Sequence, residues 1–369
     1  MRARHFTPAL LLLALLASEI DAQRVETREN SLTVNANLVL VPALVKTRSG
    51  ERVFALTEKD FALLDNGIPQ TLDMEEDTDL QPLALAVVVQ TGGRGAAHLK
   101  DYRHLEPLLE AIIGNVRYLV AVIRFDSAPH LELDFSEGTE DAANRIANLS
   151  AGDDGAATLD AIEYGIERLR ALPARYRRTI LLMSETTDLS SKSTVEDAVQ
   201  ILGETNTRIY SLAFSSARAN IAHHAAKIPV PGGTTYSHTP YAPDGCMSRA
   251  PNADPDAHEN RAIQAWDCAG DLLPPLRLAE LAFVAAKEEM RRNGPETVAQ
   301  LTGGEYFAFS DAKSLEAHLT TIMNDVPNYY VLRFRPSSPA PGPHVLRLKV
   351  GARPDLVVAA RSSYYIGNR

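Results

Sequence analysis

Residues 83–98, LALAVVVQTGGRGAAH, decide how this chain is read. Leu83 to Val89 are apolar without a break, and Gln90-Thr91-Gly92-Gly93-Arg94-Gly95 then turn the chain. An apolar run of that length, closed by glycines, predicts a strand buried on both faces. The loop after such a strand sits at the carboxyl end of an open α/β sheet, where these folds keep their binding sites. Here that loop carries an amide, bare glycines and a guanidinium, where a metal or catalytic site would need carboxylates and hydroxyls.

Downstream, strand and helix patterns alternate. Residues 97–113 are expected to be helical, with a kink or a late start at Pro107. Strands are predicted at Tyr118–Arg124, Thr179–Met183, Arg208–Phe214 and Tyr306–Phe309, with a short edge strand at Leu131–Phe135. Leu159, Ile162, Ile166 and Leu169 fall at helical spacing, as do Val195, Ala198, Val199 and Leu202, and Leu315, Leu319 and Ile322. A further helix from Glu296 to Leu301 is expected to end in a left-handed cap at Gly303-Gly304. This alternation predicts a doubly wound, mostly parallel sheet with helices on both faces. It is broken from about Ser215 to Asn293, a stretch rich in Pro, Gly and His that turns helical from Leu276 to Arg291. An interruption of that length is expected to be functional, a partner surface or poorly ordered.

Both flanks of this region read as β. Leu32, Val34, Ala36, Leu38 and Leu40 alternate with mostly polar residues, Asp65-Asn66-Gly67 signals a hairpin, and Thr57-Glu58-Lys59-Asp60 signals a short helical turn. Near the other end, residues 328–335, 344–350 and 356–360 alternate again. The expectation is a β-sandwich built from residues 23–80 and 328–369, with an α/β domain at 81–327 inserted into it.

Residues 1–22 have the form of a signal peptide: Arg2 and Arg4, an apolar run from Pro8 to Ala17, and a small residue at Ala22. Cleavage would leave roughly 347 residues, room for two domains, and the net charge of -10 unchanged. That acidic balance argues against nucleic acid and anionic lipid as partners, since both are bound through basic patches. No later apolar stretch is long enough for a transmembrane helix. In an exported chain Cys246 and Cys268 read first as a disulfide, contributing about 3 kcal/mol in the chain-entropy model.

Taken together, these stretches resemble a von Willebrand factor A (VWFA) domain, and more narrowly the secreted VWFA-related proteins of acidobacteria. The resemblance is carried by Leu38-Val-Leu-Val-Pro-Ala-Leu-Val45, Leu56-Thr-Glu-Lys-Asp-Phe61, Asp65-Asn-Gly-Ile-Pro-Gln70 and Pro82–Thr91. Further on it is carried by Gly155-Ala-Ala-Thr-Leu-Asp-Ala-Ile162, Ile180-Leu-Leu-Met-Ser184 with Asp188, Leu301-Thr-Gly-Gly304, Tyr329-Tyr-Val-Leu332 and Ala360-Arg-Ser-Ser-Tyr-Tyr365. It implies that the first central strand lies beside the fourth. It also implies a metal-ion-dependent adhesion site, with a divalent cation held by Asp-x-Ser-x-Ser, a Thr and an Asp from three loops. In this sequence those positions are Gln90, Gly92, Arg94, Ala156 and Glu185. Gly92 and Ala156 offer no side-chain oxygen and Gln90 only a neutral one, and a guanidinium about 4 Å from a dication would repel it by up to about 8 kcal/mol. The site is therefore expected to be degenerate, with no metal and no cofactor. Arg94 is left either to pair with Glu185 as a tethered substitute for the cation or to point into solvent.

Other chemistry is weaker. Gly92-Gly93-Arg94-Gly95 lacks the Lys-Ser/Thr of a phosphate loop. His223, His224, His238, Cys246, His258 and Cys268 match no compact zinc spacing. Asp126, Asp153, Asp154, Glu185 and Asp188 are placed to gather near the sheet top, without a nucleophile or His at a telling spacing. The reading is an exported, non-enzymatic binding, adhesion or assembly protein with a protein partner. Its candidate contact residues are Gln90, Thr91, Gly92, Arg94, Asp153, Asp154, Ala156, Glu185, Thr187 and Asp188. The rivals are a hydrolase with its site in residues 215–293 and a structural envelope component with no ligand at the sheet top.

Overall fold

The computed structural model describes residues 38–75, 81–103, 105–113, 116–214, 275–351, 353 and 355–367. The signal-peptide reading, the Cys246–Cys268 disulfide, the six His and Cys residues weighed as zinc ligands, and the Leu32–Ala36 part of the first alternating run lie outside them.

Leu83–Gln90 forms β5, and all eight of its residues are buried. It lies at the centre of a six-stranded sheet in the order β10-β9-β8-β5-β6-β7. The other strands are β6 (Tyr118–Phe125), β7 (Pro129–Ser136), β8 (Arg177–Glu185), β9 (Arg208–Phe214) and β10 (Tyr306–Phe309). All pairings are parallel except the antiparallel edge strand β7. β5 is thus the first central strand and lies beside the fourth, β8, with Val89 opposite Met183.

The side-chain period of two divides β5 between two apolar clusters. Leu83, Leu85, Val87 and Val89 face one side, packed with α1 (Glu106–Ile113), α2 (Thr139–Ala147) and α7 (Ala312–Asp325). Ala84, Ala86 and Val88 face the other, packed with α3 (Thr158–Arg170), α4 (Val195–Glu204), α5 (Pro275–Arg292) and α6 (Gly294–Thr302). The small residues on that second face match a close helix. A Cβ on Gly165 of α3 would stand 3.3 Å from Ile180 Cδ1 and 3.6 Å from Val88 Cγ2. The helix expected over 97–113 is split: a 3-10 helix covers Gly93–Tyr102, and α1 starts late, with Pro107 in its first turn where no donor is lost.

The flanking segments form two antiparallel sheets. One has the order β13-β1-β11-β4, from Leu356–Ala360, Val39–Thr47, Tyr330–Phe334 and Asp73–Met74. The other has the order β14-β12-β2-β3, from Ser363–Ile366, Gly342–Val350, Phe61–Asp65 and Ile68–Gln70. Every strand of residues 39–70 except β3 pairs directly with one of residues 330–366. Val41, Val45, Leu63, Phe334, Leu346 and Ile366 belong to one apolar cluster drawn from both sheets. Asn66 (φ 49°) and Gly67 (φ 83°) make the two-residue turn between β2 and β3, both in the left-handed region that this hairpin requires.

Candidate functional site

The loops at the carboxyl end of the central sheet meet backbone to backbone. Gly92 N and Thr91 N both donate to Phe125 O, Gly93 N donates to Asp153 O (2.7 Å), and Gly152 N donates to Thr91 O (3.0 Å). A Cβ on Gly92 would stand 2.7 Å from Asp126 Cα and closer still to Gly155 O. Only glycine fits there. The serine that the family resemblance places at this position has no room.

Gln90 is fully buried where β5 ends, and its side chain faces Glu185 where β8 ends. Gln90 Nε2 donates to Glu185 Oε1 (2.8 Å) and to Gly92 O (3.1 Å), while Gln90 Oε1 accepts from Glu185 N (2.8 Å). Parallel neighbouring strands bring these two residues level, although 95 positions separate them in sequence. Arg94 is exposed, and Gln90 takes the carboxylate oxygen that the tethered-charge idea reserved for it. The Arg94–Glu185 pair is not formed.

The remaining carboxylates are also engaged. Asp153 accepts from Ser127 N (2.9 Å), Gly155 N (2.8 Å) and Ser127 Oγ. The Ser127 hydroxyl, together with those amides, holds the Asp153 carboxyl below its usual range. Asp126 accepts from Arg124 Nη1 (3.1 Å) and Ala128 N (3.3 Å). Asp188 caps α3 from another loop, accepting from Thr158 N (2.7 Å), Leu159 N (3.3 Å) and Ser191 Oγ (2.6 Å). Ser191 Oγ accepts from Leu159 N and Asp160 N, and Ser190 Oγ accepts from Ala156 N (2.9 Å). Carboxylate near a helix amino end is favourable electrostatically as well as by hydrogen bonding.

The five acidic residues expected to gather here are divided among different partners. Asp126 and Asp153 both pack on the Ser127 loop, Glu185 is held by Gln90, Asp188 caps α3, and Asp154 is exposed. Among the described residues no group of three His, Cys, Asp or Glu is placed to hold a metal. Thr91 is buried and donates Oγ1 to Phe125 O (3.2 Å), Ala156 is buried, and Thr187 is half-buried. The buried hydroxyls of Thr158 and Thr186 lack a hydrogen-bond partner, yet the one carboxylate beside Gln90 is already committed to that amide. A hard dication needs six or more oxygens with carboxylates among them, so this donor set does not fit it.

Sequence reading missed Ser127, Ser190 and Ser191, which tie the loops together. The run Asp188-Leu189-Ser190-Ser191 has the composition of a helix cap, but the helix it caps begins thirty residues earlier. One large apolar side chain stands out on this rim: Leu189 is 62% exposed, with its N bonded to Ala156 O.

No protein-family model matches the chain, and no curated protein matches its sequence. Among solved structures, the conserved hypothetical protein BatB from Bacteroides thetaiotaomicron aligns at 12% identity and a TM-score of 0.37, over 66% of this chain and 98% of that one. Proximal thread matrix protein 1 from the mussel byssus, in a form with a zinc-occupied MIDAS motif, aligns at 10% identity and a TM-score of 0.41, over 72% and 50%. The SpRpn10 VWA domain aligns at 12% identity and a TM-score of 0.31, over 36% and 76%. Likenesses at this level carry no argument about ligand or function. The mixed α/β architecture stands on its own strand order and register. No helix among the described residues is long and apolar enough to cross a membrane.

Proposed function

We propose that this is an exported, non-enzymatic binding or assembly protein that meets a protein partner at the carboxyl end of its central sheet without a bridging cation. The observation that carries this reading is the reciprocal Gln90–Glu185 pair, which fills the strand ends with a neutral amide against a carboxylate. Around it, Asp126, Asp153 and Asp188 are spent on fastening the loops to one another. Such loops form a rigid platform: the Ser127 and Ser191 hydroxyls donate to Asp153 and Asp188, and both carboxylates also accept from backbone amides, so these groups serve to hold the loops together. Exposed Arg94 and Asp154 and the apolar Leu189 give that platform the mixed polar and apolar character of a protein-contact surface. Export rests on the signal-like segment of residues 1–22. In the same reading the two outer sheets form one β-sandwich, interrupted by the central domain, because their strands come from both flanks and share one apolar cluster.

Thermal melts in millimolar Mg²⁺, Mn²⁺ or Ca²⁺ are expected to match the melt in EDTA within about 1 °C, since an ion that does not bind the folded chain adds no stability. A rise of several degrees would refute the cation-free site. Partner capture that survives EDTA and is lost on Arg94→Glu with Leu189→Asp supports the platform. Turnover of a hydrolase substrate by the purified chain would replace this reading with the enzymatic one.

A further inference from the structure

Arg361, in the link between β13 and β14, is 4% exposed. Its Nε donates to Ser363 O (2.6 Å), Nη1 to Asn206 Oδ1 (3.1 Å) and Nη2 to Gly203 O. All three acceptors are neutral oxygens. Gly203 belongs to the last turn of α4, whose dipole offers only a fraction of a negative charge. No carboxylate among the described residues forms an ion pair with Arg361. Burial pushes its pKa down to about 10, so it remains charged at neutral pH. A buried charge without a counter-charge is costly, which makes this an unusual place for a guanidinium.

Arg361 lines a predominantly polar cavity of about 290 Å³, together with Val39, Glu204, Asn206 and Tyr365. A single water needs only ~10–15 Å³ of such space, so a small ion of a few non-hydrogen atoms fits. A guanidinium has five N–H groups, and three are used here, leaving one on each terminal nitrogen. Two such donors match the paired oxygens of a carboxylate or phosphate. Glu204 is the one carboxylate among the cavity-lining residues. It accepts from Gln200 Nε2 (2.9 Å) and lies 4.0 Å from Arg170, and its charge favours a singly charged guest over a doubly charged one.

We propose that this cavity binds a small, singly charged oxyanion, a short monocarboxylate or a monoanionic phosphate group, seated on the Arg361 guanidinium. The site lies on α4 and the β13–β14 link, away from the Gln90–Glu185 loops, and is independent of how those loops are used.

The test is a titration of the full chain with acetate and, separately, inorganic phosphate at pH 6, at ionic strength held constant with NaCl. Melting temperature and calorimetric heat are the readouts. Saturable stabilisation by acetate or by phosphate is expected, and which of the two saturates at lower concentration identifies the oxyanion. Asn206→Asp sets a carboxylate at the Nη1 contact, so it is expected to raise the anion-free melt and weaken binding by about tenfold or more. Asn206→Ala, which removes a neutral acceptor on the exposed rim, is expected to bind within about threefold of the parent. The proposal is overturned by any of three results: no saturable shift beyond the NaCl control, unchanged binding in Asn206→Asp, or an equal loss in Asn206→Ala.

Discussion

At the carboxyl end of the central sheet the buried polar contact is an amide against a carboxylate, Gln90 with Glu185. At the amino end it is a cluster of full charges. Lys46 Nζ of β1 donates to Glu305 Oε1 (2.9 Å) and Asp325 Oδ2 (2.8 Å), tying an outer sheet to the residues before β10 and at the end of α7. Beside it, the Arg208 guanidinium lies over the rings of Tyr329 (4.6 Å) and Tyr210 (5.0 Å). Burial and the neighbouring Asp325 carboxylate raise the Glu305 pKa to about 7, with the Lys46 ammonium opposing them. Burial works against the Lys46 charge, yet its two carboxylate partners carry its pKa upward. The carboxyl end is thus fastened mainly by hydrogen bonds and backbone contacts, with the Arg124–Asp126 ion pair beside them. The amino end is fastened by a charge cluster in which Glu305 is shifted toward neutrality. Strand β1 of an outer sheet is tied through charge to the residues that flank β10 and close α7.

The largest expected effect is at the charged end. Lys46→Met strands two carboxylates in a poorly solvated site and should cost about 3 kcal/mol in urea unfolding. A loss below 1 kcal/mol would show that the cluster is well hydrated and would erase the contrast. At the other end, Gln90→Ala removes both bonds to Glu185 and should cost about 2 kcal/mol. Gly92→Ser, which restores a hydroxyl of the expected adhesion site, should also cost about 2 kcal/mol through collision with Asp126 and Gly155, and should gain no response to Mg²⁺.

The pH response should be smaller and should belong to the charged end together with His344. Glu305 binds its proton more tightly folded than unfolded. Its contribution is therefore complete below 4.5 and lost as pH rises toward about 7. His344 is buried, which opposes protonation, but Asp65 Oδ1 (2.9 Å) and Ala340 O (2.8 Å) meet its two ring nitrogens and raise its pKa above 6.5. Its contribution likewise fades as pH rises through that raised value. Melting temperature should thus decline from pH 5 to 8, and Glu305→Gln should flatten the lower part of that decline. A slope unchanged by Glu305→Gln would assign the whole response to other groups. The smallest expected effect is Arg94→Ala, within about 0.5 kcal/mol, because this exposed side chain supports nothing beneath it. A larger loss would mean that Arg94 reaches Glu185 in solution after all.

Much of the architecture was written in short-range pattern. The Leu83–Val89 run, the helical stripes, the Asn66-Gly67 turn and the left-handed Gly303 each depend on a residue and its near neighbours, so period and backbone preference suffice to read them. The chemistry that argues against a cation is likewise a property of residue type: Gln90, Gly92 and Ala156 supply no anionic oxygen wherever they point. Partnership was another matter. A loop sequence names its donors and acceptors but contains no distances, and a carboxylate bonds to whatever the strand register brings level with it. Only the pairing of β5 with β8 set Gln90 against Glu185 and left Arg94 exposed. Only the docking of the last β segment on α4 buried Arg361 without a counter-charge, a burial no local pattern foretells because the cost is repaid by packing elsewhere in the fold.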